Sequence, residues 1–481
     1  MEKTQLIFIP WPTMGHLAQL VELAKLIISK KNQFSITVLI MKLPDFIDAD
    51  GGVIIDSFVS SSNTEGLQFL YLPPTESEPE WSSRTRGYFT NKLVESQKSN
   101  VKDLIRKNSS KKINGFVVDM LCTSMIDVAA DFGVPSYVFF TSGAGFLNLM
   151  LHFQTLQDDQ NQDISELLNS NPLLTVPGFA NPIPSAVLPL VLSEKQSWLG
   201  RFLHYARGYR KAKGIIINSF LDLEKDIFNS ITISETTHQR IPRTYPIGPI
   251  LNQVKHVSSD GNSEIMKWLA EQPPKSVVYV CFGSQGSLDE DQVKELASGL
   301  EQSGYRFLCS LRRTSPDNTR AVFPSEFENQ KEVLPEGFLD RTASIGKIVG
   351  WVPQLAVLSE PAIGGFISHC GWNSILESIW SGVPIATWPL HSEQQLNAFQ
   401  LVKELGLAVE ISLDYQERSV EKKLVTAEEI ERGIRNVMHK DSEVRKNVKE
   451  MKEKSRMSII EDGSSYKTLE DLIDNLLLKI C

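Results

Sequence analysis

The chain begins the same supersecondary pattern twice, and this repetition constrains its fold more than any single motif. "QLIFIPWPTMGH" (residues 5–16) is a short apolar run that enters a loop and then a helical pattern. Leu20, Leu23, Ala24, Ile27 and Ile28 share one face of that helix. "KSVVYVCFGSQGS" (275–287) repeats the arrangement, with Val293, Leu296, Ala297 and Leu300 on the buried face. Ser287 and Glu290 have the spacing of a capping box at the second helix, and Gly304 is placed to end it. Continuous apolar runs follow each start. They are "GFVVDM", "PSYVFF" and "GIIINS" in the first half, then "YRFLCSL", "KIVGWV", "GGFISH" and "PIATWP" in the second. Runs of this kind, alternating with helices, are strands of parallel sheets covered on both faces. The expected fold is α/β, with two doubly wound domains.

Length agrees, since 481 residues exceed what one core usually organises. The seam is expected in the polar stretch "LNQVKHVSSDGNS", giving units 1–250 and 264–460 joined by a linker at 251–263. Residues 155–190 and 314–333 read as long loops. In the tail, Leu469, Leu472, Ile473, Leu476 and Leu477 fall at helical spacing, so 461–481 should dock, on the first domain, rather than trail. Net charge is −9 without a basic stripe, which argues against nucleic acid or an anionic membrane as partner. No apolar run approaches the ~20 residues of a membrane span, and the N-terminus lacks a signal-peptide core. Cys122, Cys281, Cys309, Cys370 and Cys481 are scattered and odd in number, which suggests neither a disulfide framework nor a zinc site. A cytoplasmic enzyme with reduced thiols is expected.

"HCGWNSILES" (369–378) joins an apolar strand to a helical pattern. Ser374 and Glu377 have capping-box spacing, and Gly382 with Pro384 marks the helix end. Unpaired N–H groups and the dipole at a helix start suit an anion, to which His369 and Ser374 could also donate. In open parallel sheets ligands lie beyond the carboxyl ends of the strands, where this loop falls. On this segment alone a plain structural reading is equally open, with Ser374 and Glu377 as caps, His369 as a loop residue and Trp372 as core.

The wider context is more specific. From Trp351 to Gln394 the chain reads "WVPQLAVLSEPAIGGFISHCGWNSILESIWSGVPIATWPLHSEQ". It closely resembles the 44-residue donor-binding signature of plant family-1 UDP-dependent glycosyltransferases, which glycosylate small molecules. The resemblance extends over nearly the whole chain, through "MGHL", "VVDM", "CFGS" and "EQQLNAF". It implies the two-domain GT-B fold, with an acceptor-binding first domain and a UDP-sugar-binding second domain.

The resemblance also implies roles for individual residues. Trp351 would stack on uracil, with Val352 and Gln354 beside the base and ribose, and Glu377 would accept from the ribose hydroxyls. His369, Asn373 and Ser374 would hold the diphosphate, joined by Ser284 of "CFGS". Trp372, Glu393 and Gln394 would bind the sugar, and the final Gln points to UDP-glucose. Thr141 of "FFTSG" would also touch the sugar. His16 would be the general base, since an imidazole pKa near 6.5 suits proton removal at neutral pH. Asp119 would orient it and stabilise the imidazolium, although a strand-end Asp is also an ordinary helix cap. No metal is expected if the helix terminus and His369 neutralise the leaving diphosphate.

Two positions depart from the family pattern. Glu360 replaces a usual histidine, and His391-Ser392 stands where an aromatic and a small residue are common. His391 therefore bears on acceptor choice, together with Met14, Met120, Phe146 and the 180–190 stretch. The expected reaction is inverting transfer of glucose to a hydroxyl of a small lipophilic aglycone, flavonoid or other phenolic or triterpenoid, by a monomer. Two alternatives belong to other classes. "HVSSDG" (256–261) and "DFGVP" (131–135) partly match acyl-CoA-dependent acyltransferase motifs, but in reversed order and without the tryptophan. A non-catalytic sugar-nucleotide-binding protein would not need His16 and Asp119 intact.

Overall fold

The structure, a computed structural model, describes residues 3–43, 51–74, 86–107, 112–189, 199–233, 241–251, 260–313, 327, 330–416 and 423–478. Two sheets organise them, both wholly parallel. The first contains Thr4–Ile9, Phe34–Ile40, Leu67–Tyr71, Ile113–Asp119, Ser136–Phe140, Gly214–Ile217 and Arg243–Pro246. Taken in chain order, these strands lie 3-2-1-4-5-6-7 across the sheet. The second contains Val277–Cys281, Arg306–Ser310, Gly346–Val349, Ile363–Ser368, Ile385–Thr387 and Ala408–Glu410, in the order 3-2-1-4-5-6. All strands read from apolar runs in the sequence are present. Phe34–Ile40, Leu67–Tyr71, Arg243–Pro246 and Ala408–Glu410 add to them.

Central strands are buried on both faces, as their unbroken apolar character requires. Phe8, Ile9, Phe116, Val117 and Val118 are inaccessible in one sheet, as are Val278, Val280, Phe366 and Ile367 in the other. The helix Met14–Lys30 covers the first sheet with Leu17, Leu20, Leu23, Ala24 and Ile27. In both sheets the winding direction reverses between the first strand and the fourth. That reversal opens a crevice at the carboxyl ends of Thr4–Ile9 and Ile113–Asp119, and another beside Val277–Cys281 and Ile363–Ser368.

The helix Ser464–Leu477 packs on the first sheet, where Leu469, Leu472, Ile473 and Leu476 join a core with Phe8, Val117 and Tyr245. Arg243 and Asp471 pair across that contact, and Ser458 and Ser465 both donate to the Gly248 carbonyl.

Several local expectations need correction. The helix Glu290–Ser303 is capped by Asp289, whose carboxylate accepts from Gln292 N, and not by Ser287. The helix Trp372–Ser381 begins one turn earlier than its S-x-x-E spacing suggests, with Gly371 at the N-cap. Ser374 and Glu377 therefore sit inside the helix and form no capping box. Gly304 and Gly382 do end their helices, both in the left-handed conformation. Residues 155–190 are not one loop, since they include the helix Ile164–Ser170 and a hairpin of Leu173–Leu174 with Ile183–Pro184. Of the expected linker, 252–259 lie outside the described residues and a helix starts at Asp260. "HVSSDG" and most of 314–333 likewise lie largely outside the described residues.

Candidate active site

The two crevices face each other, and each supplies one half of the site. On the first domain, His16 occupies the opening turn of Met14–Lys30, and Asp119 ends its strand fully buried. His16 Nδ1 lies 2.8 Å from Asp119 Oδ2, and Thr141 Oγ1 lies 3.2 Å from the same nitrogen. Leu121 N–H donates to the other carboxylate oxygen at 2.9 Å, so Asp119 is held at both ends. It both braces its own strand end and orients the imidazole. His16 keeps 25% of its side chain exposed, toward the cleft. Burial lowers its pKa, but Asp119 and, more distantly, Glu393 outweigh burial and raise it above 6.5.

Helix geometry on the second domain decides what capping-box spacing left open. Gln354 Nε2 donates to Ser374 Oγ (2.8 Å) and to Glu377 Oε2 (2.7 Å). Neither side chain reaches the helix terminus, so the first-turn N–H groups of Trp372–Ser381 have no side-chain cap. Burial pushes the Glu377 carboxyl up to about 7, although the Gln354 bond opposes this. A buried carboxylate with one amide donor has capacity left for hydroxyl donors. Trp351, three residues before Gln354, is 52% exposed, whereas the neighbouring Val352 is core.

His369 is buried between two glycines. A Cβ at Gly283 would come within 2.6 Å of its Nε2, and one at Gly371 would come closer still. Gly283 also has a φ of +75°, which side chains rarely adopt. Burial drives the His369 pKa down to about 4, so the imidazole is neutral at pH 7. Its Nδ1 is buried with no hydrogen-bond partner. The ring also hydrogen-bonds the Cys281 backbone, and its single N–H in the neutral form donates either there or to an anion at the adjoining uncapped helix start, not to both at once. Cys370 holds an unusual φ of +62° at this corner, and exposed Ser284 lies on the adjoining loop.

Among the described residues, several contacts join the halves. Asn373 Nδ2 donates to the Gly15 carbonyl at 3.1 Å, setting the helix start against the residue before His16. Ser142 Oγ donates to Glu393 Oε1 at 3.0 Å. Trp372 Nε1 donates to the Asn218 carbonyl at 2.7 Å, and its ring fills the space that a Cβ on Gly143 would need. The indole is therefore a wedge between domains, only 3% exposed. Gln394 Oε1 accepts from Leu390 N and His391 N at 2.9 and 3.0 Å, leaving its amino group for a ligand. Ser392, at φ +62°, turns the chain so that Glu393 faces Ser142.

Met120 and Phe146 are buried in one apolar cluster with Val187, Leu188 and Phe202, whereas Met14 packs against a different core. His391 is partly buried, and Glu360 ends the helix Gln354–Ser359, away from these contacts. Sequence reasoning missed Ser142, Asn218 and Glu224, the last a buried carboxylate that accepts from Gln400 Nε2 of the second domain at 3.1 Å. Each works across a long chain separation, and no local spacing announces that.

The sequence matches the family model for UDP-glucoronosyl and UDP-glucosyl transferase over residues 252–454. It is 49% identical to "UDP-glucose flavonoid 3-O-glucosyltransferase 6" of Fragaria ananassa over 98% of both chains. The chain belongs to the plant family-1 UDP-dependent glycosyltransferases. Solved structures agree in fold along its full length. A Siraitia grosvenorii glycosyltransferase in complex with UDP superposes with a TM-score of 0.88, at 43% identity over 99% of this chain and 100% of that one. A Medicago truncatula glycosyltransferase complexed with UDP-glucose gives 0.85, at 40% identity over 98% of each chain. The two doubly wound domains of this glycosyltransferase are those of the GT-B fold. No helix among its described residues is long and apolar enough to cross a membrane.

Proposed function

We propose that this enzyme moves glucose from UDP-glucose to a hydroxyl of a small lipophilic aglycone, a flavonoid or other phenolic or a triterpenoid, with inversion. The observation that carries the proposal is the His16–Asp119 pair at 2.8 Å, set beside the helix start of the other domain through the Asn373–Gly15 contact. With Nδ1 turned to Asp119, Nε2 is the nitrogen left for an acceptor. It takes the hydroxyl proton as the acceptor oxygen bonds to C1, and the C1–oxygen bond to UDP breaks with its electron pair leaving on the diphosphate. Attack from the first domain and departure toward the second place the two oxygens on opposite faces of C1.

Under this reading Trp351, Val352, Gln354 and Glu377 take the uridine. His369, Asn373, Ser374, Ser284 and the helix start take the diphosphate, and Trp372, Thr141, Glu393 and Gln394 take the glucose. The glucose assignment is supported by the names of the Fragaria and Medicago proteins. Neutral His369 and an uncapped helix start supply diphosphate stabilisation without a metal. A cytoplasmic monomer acting without further cofactor completes the proposal.

The test is incubation with UDP-glucose and a panel of aglycones, with products read by mass and anomeric configuration by NMR. A β-glucoside is expected, and His16→Ala should abolish its formation while UDP affinity stays within a few-fold. Undiminished turnover by His16→Ala on an aliphatic alcohol would remove His16 as base. An α-product would overturn inversion.

A further inference from the structure

The segment that begins at the candidate sugar site ends on the opposite domain. Gln394–Phe399 is a helix that widens into a π turn over Gln400–Glu404, closed by Leu405 N–H on the Gln400 carbonyl at 3.0 Å. Such a turn inserts an extra residue and re-aims the side chains that follow. Here it directs two of them at the first domain. Gln400 Nε2 donates to Glu224 Oε1 at 3.1 Å, and Glu224 in turn accepts the N–H groups of Ala144 and Gly145 at 2.9 and 2.8 Å. Four residues on, the Glu404 carboxylate spans two successive N–H groups, Ala180 at 2.7 Å and Asn181 at 3.0 Å. The Asn181 side chain adds a third bond to the carboxylate at 2.7 Å and a fourth to the Lys403 carbonyl at 3.2 Å.

The chain fixed by Glu404 continues into Ile183, Val187 and Leu188, which are buried in one cluster with Met120, Phe146 and Phe202. The helix Gln394–Phe399 packs directly on the turn Ser185–Val187. One continuous segment thus carries Glu393 and Gln394 at one end and grips the 180–188 wall at the other.

We propose that Glu404 is a positioning residue for the acceptor, coupling occupation of the donor site to the shape of the 180–188 wall. The proposal rests on the functional reading above. Glu404 touches neither substrate, so its effect should fall on aglycones long enough to reach that wall.

Glu404→Ala and the near-isosteric Glu404→Gln test it, with kcat/KM measured for a compact phenol and an extended polycyclic aglycone. Hydrogen exchange at residues 180–188 is followed with and without UDP-glucose. For Glu404→Ala the extended acceptor should lose at least fivefold in kcat/KM, while the compact one and the UDP-glucose KM change less than twofold. Glu404→Gln, which keeps one carbonyl acceptor, should fall between and remains informative if the alanine variant does not fold. UDP-glucose should slow exchange at 180–188 in the wild type and not in Glu404→Ala. Equal losses for both acceptors, or exchange that responds to UDP-glucose identically in all proteins, would overturn the proposal. Failure of the functional reading would show separately, as a wild type that glucosylates nothing in the panel.

Discussion

Replacing Asp119 by Asn tests the base and its support together. The carboxylate is inaccessible to solvent, accepts from Leu121 N at 2.9 Å, and faces His16 Nδ1 at 2.8 Å. An asparagine that keeps its carbonyl on Leu121 N turns its amino group toward His16. Nδ1 must then accept, so the ring proton moves to Nε2, the nitrogen that has to receive a proton from the acceptor. A lost charge-assisted hydrogen bond is worth about 1.5–3 kcal/mol, and each ~1.4 kcal/mol is about tenfold in rate. The bond alone therefore accounts for about 10- to 150-fold, and the wrong tautomer adds to it. Asp119→Asn is expected to lower kcat by about 100-fold or more.

The pH profile supplies a second, independent readout. The unprotonated imidazole is the active form, so activity rises with pH through the His16 pKa, which lies above 6.5 in the wild type. Without the Asp119 charge, burial is opposed only by Glu393, and the rising limb should move to lower pH. The assay is kcat/KM for an aliphatic alcohol acceptor between pH 5 and 9, because an acidic phenol ionises without help. Activity within twofold of wild type, with an unmoved limb, would refute the Asp119–His16 assignment.

Three further outcomes follow from the same geometry. With Glu377 at about 7 and His369 at about 4, UDP-glucose binding measured by calorimetry should weaken as pH falls below about 7, and Glu377→Gln should abolish that dependence. UDP-glucose is preferable to UDP here because it has no ionising group in that range. Gly143→Ala would place a Cβ 2.7 Å from the Trp372 ring. Overpacking of this kind costs about 1–3 kcal/mol, so kcat should drop and thermal stability fall while the His16 pH limb stays in place. His391→Tyr should reorder kcat/KM among aglycones with UDP binding nearly unchanged. A uniform loss with weaker UDP-glucose binding would assign His391 to the donor loop instead.

Much of the fold is legible because it depends on local pattern. A parallel strand covered on both faces must be apolar throughout, so "VVYVC" and "GGFIS" declare themselves without reference to anything distant. Shorter or half-exposed strands escape the same reasoning. Ala408–Glu410 ends in an exposed acidic residue, and Leu67–Tyr71 is partly exposed along its length, so neither reads as an unbroken apolar run. His16, Asp119 and His369 lie at the ends of legible strands, but a strand end alone leaves ordinary structural uses open, and it is the resemblance of their motifs to the family's that singles them out.

What each of those residues does was another matter. S-x-x-E spacing at Ser374 and Glu377 fits a cap and a ligand site equally, because spacing along the chain does not say where a helix begins. Only the packed structure, with Gly371 at the N-cap and Gln354 brought from another helix, leaves both side chains for a ligand. Trp372 likewise reads as core or as a sugar contact from sequence, and only the bond from its N–H to the Asn218 carbonyl, 154 residues away, shows that it is wedged between the domains. By itself the sequence determined two doubly wound domains and the strand ends at which chemistry must lie, since hydrophobic periodicity is a property of neighbouring residues. Tertiary structure alone decided the contacts between domains, from Ser142–Glu393 to the Glu404 grip on Ala180 and Asn181. Those depend on how two folded surfaces meet, and no interval along the chain encodes that distance.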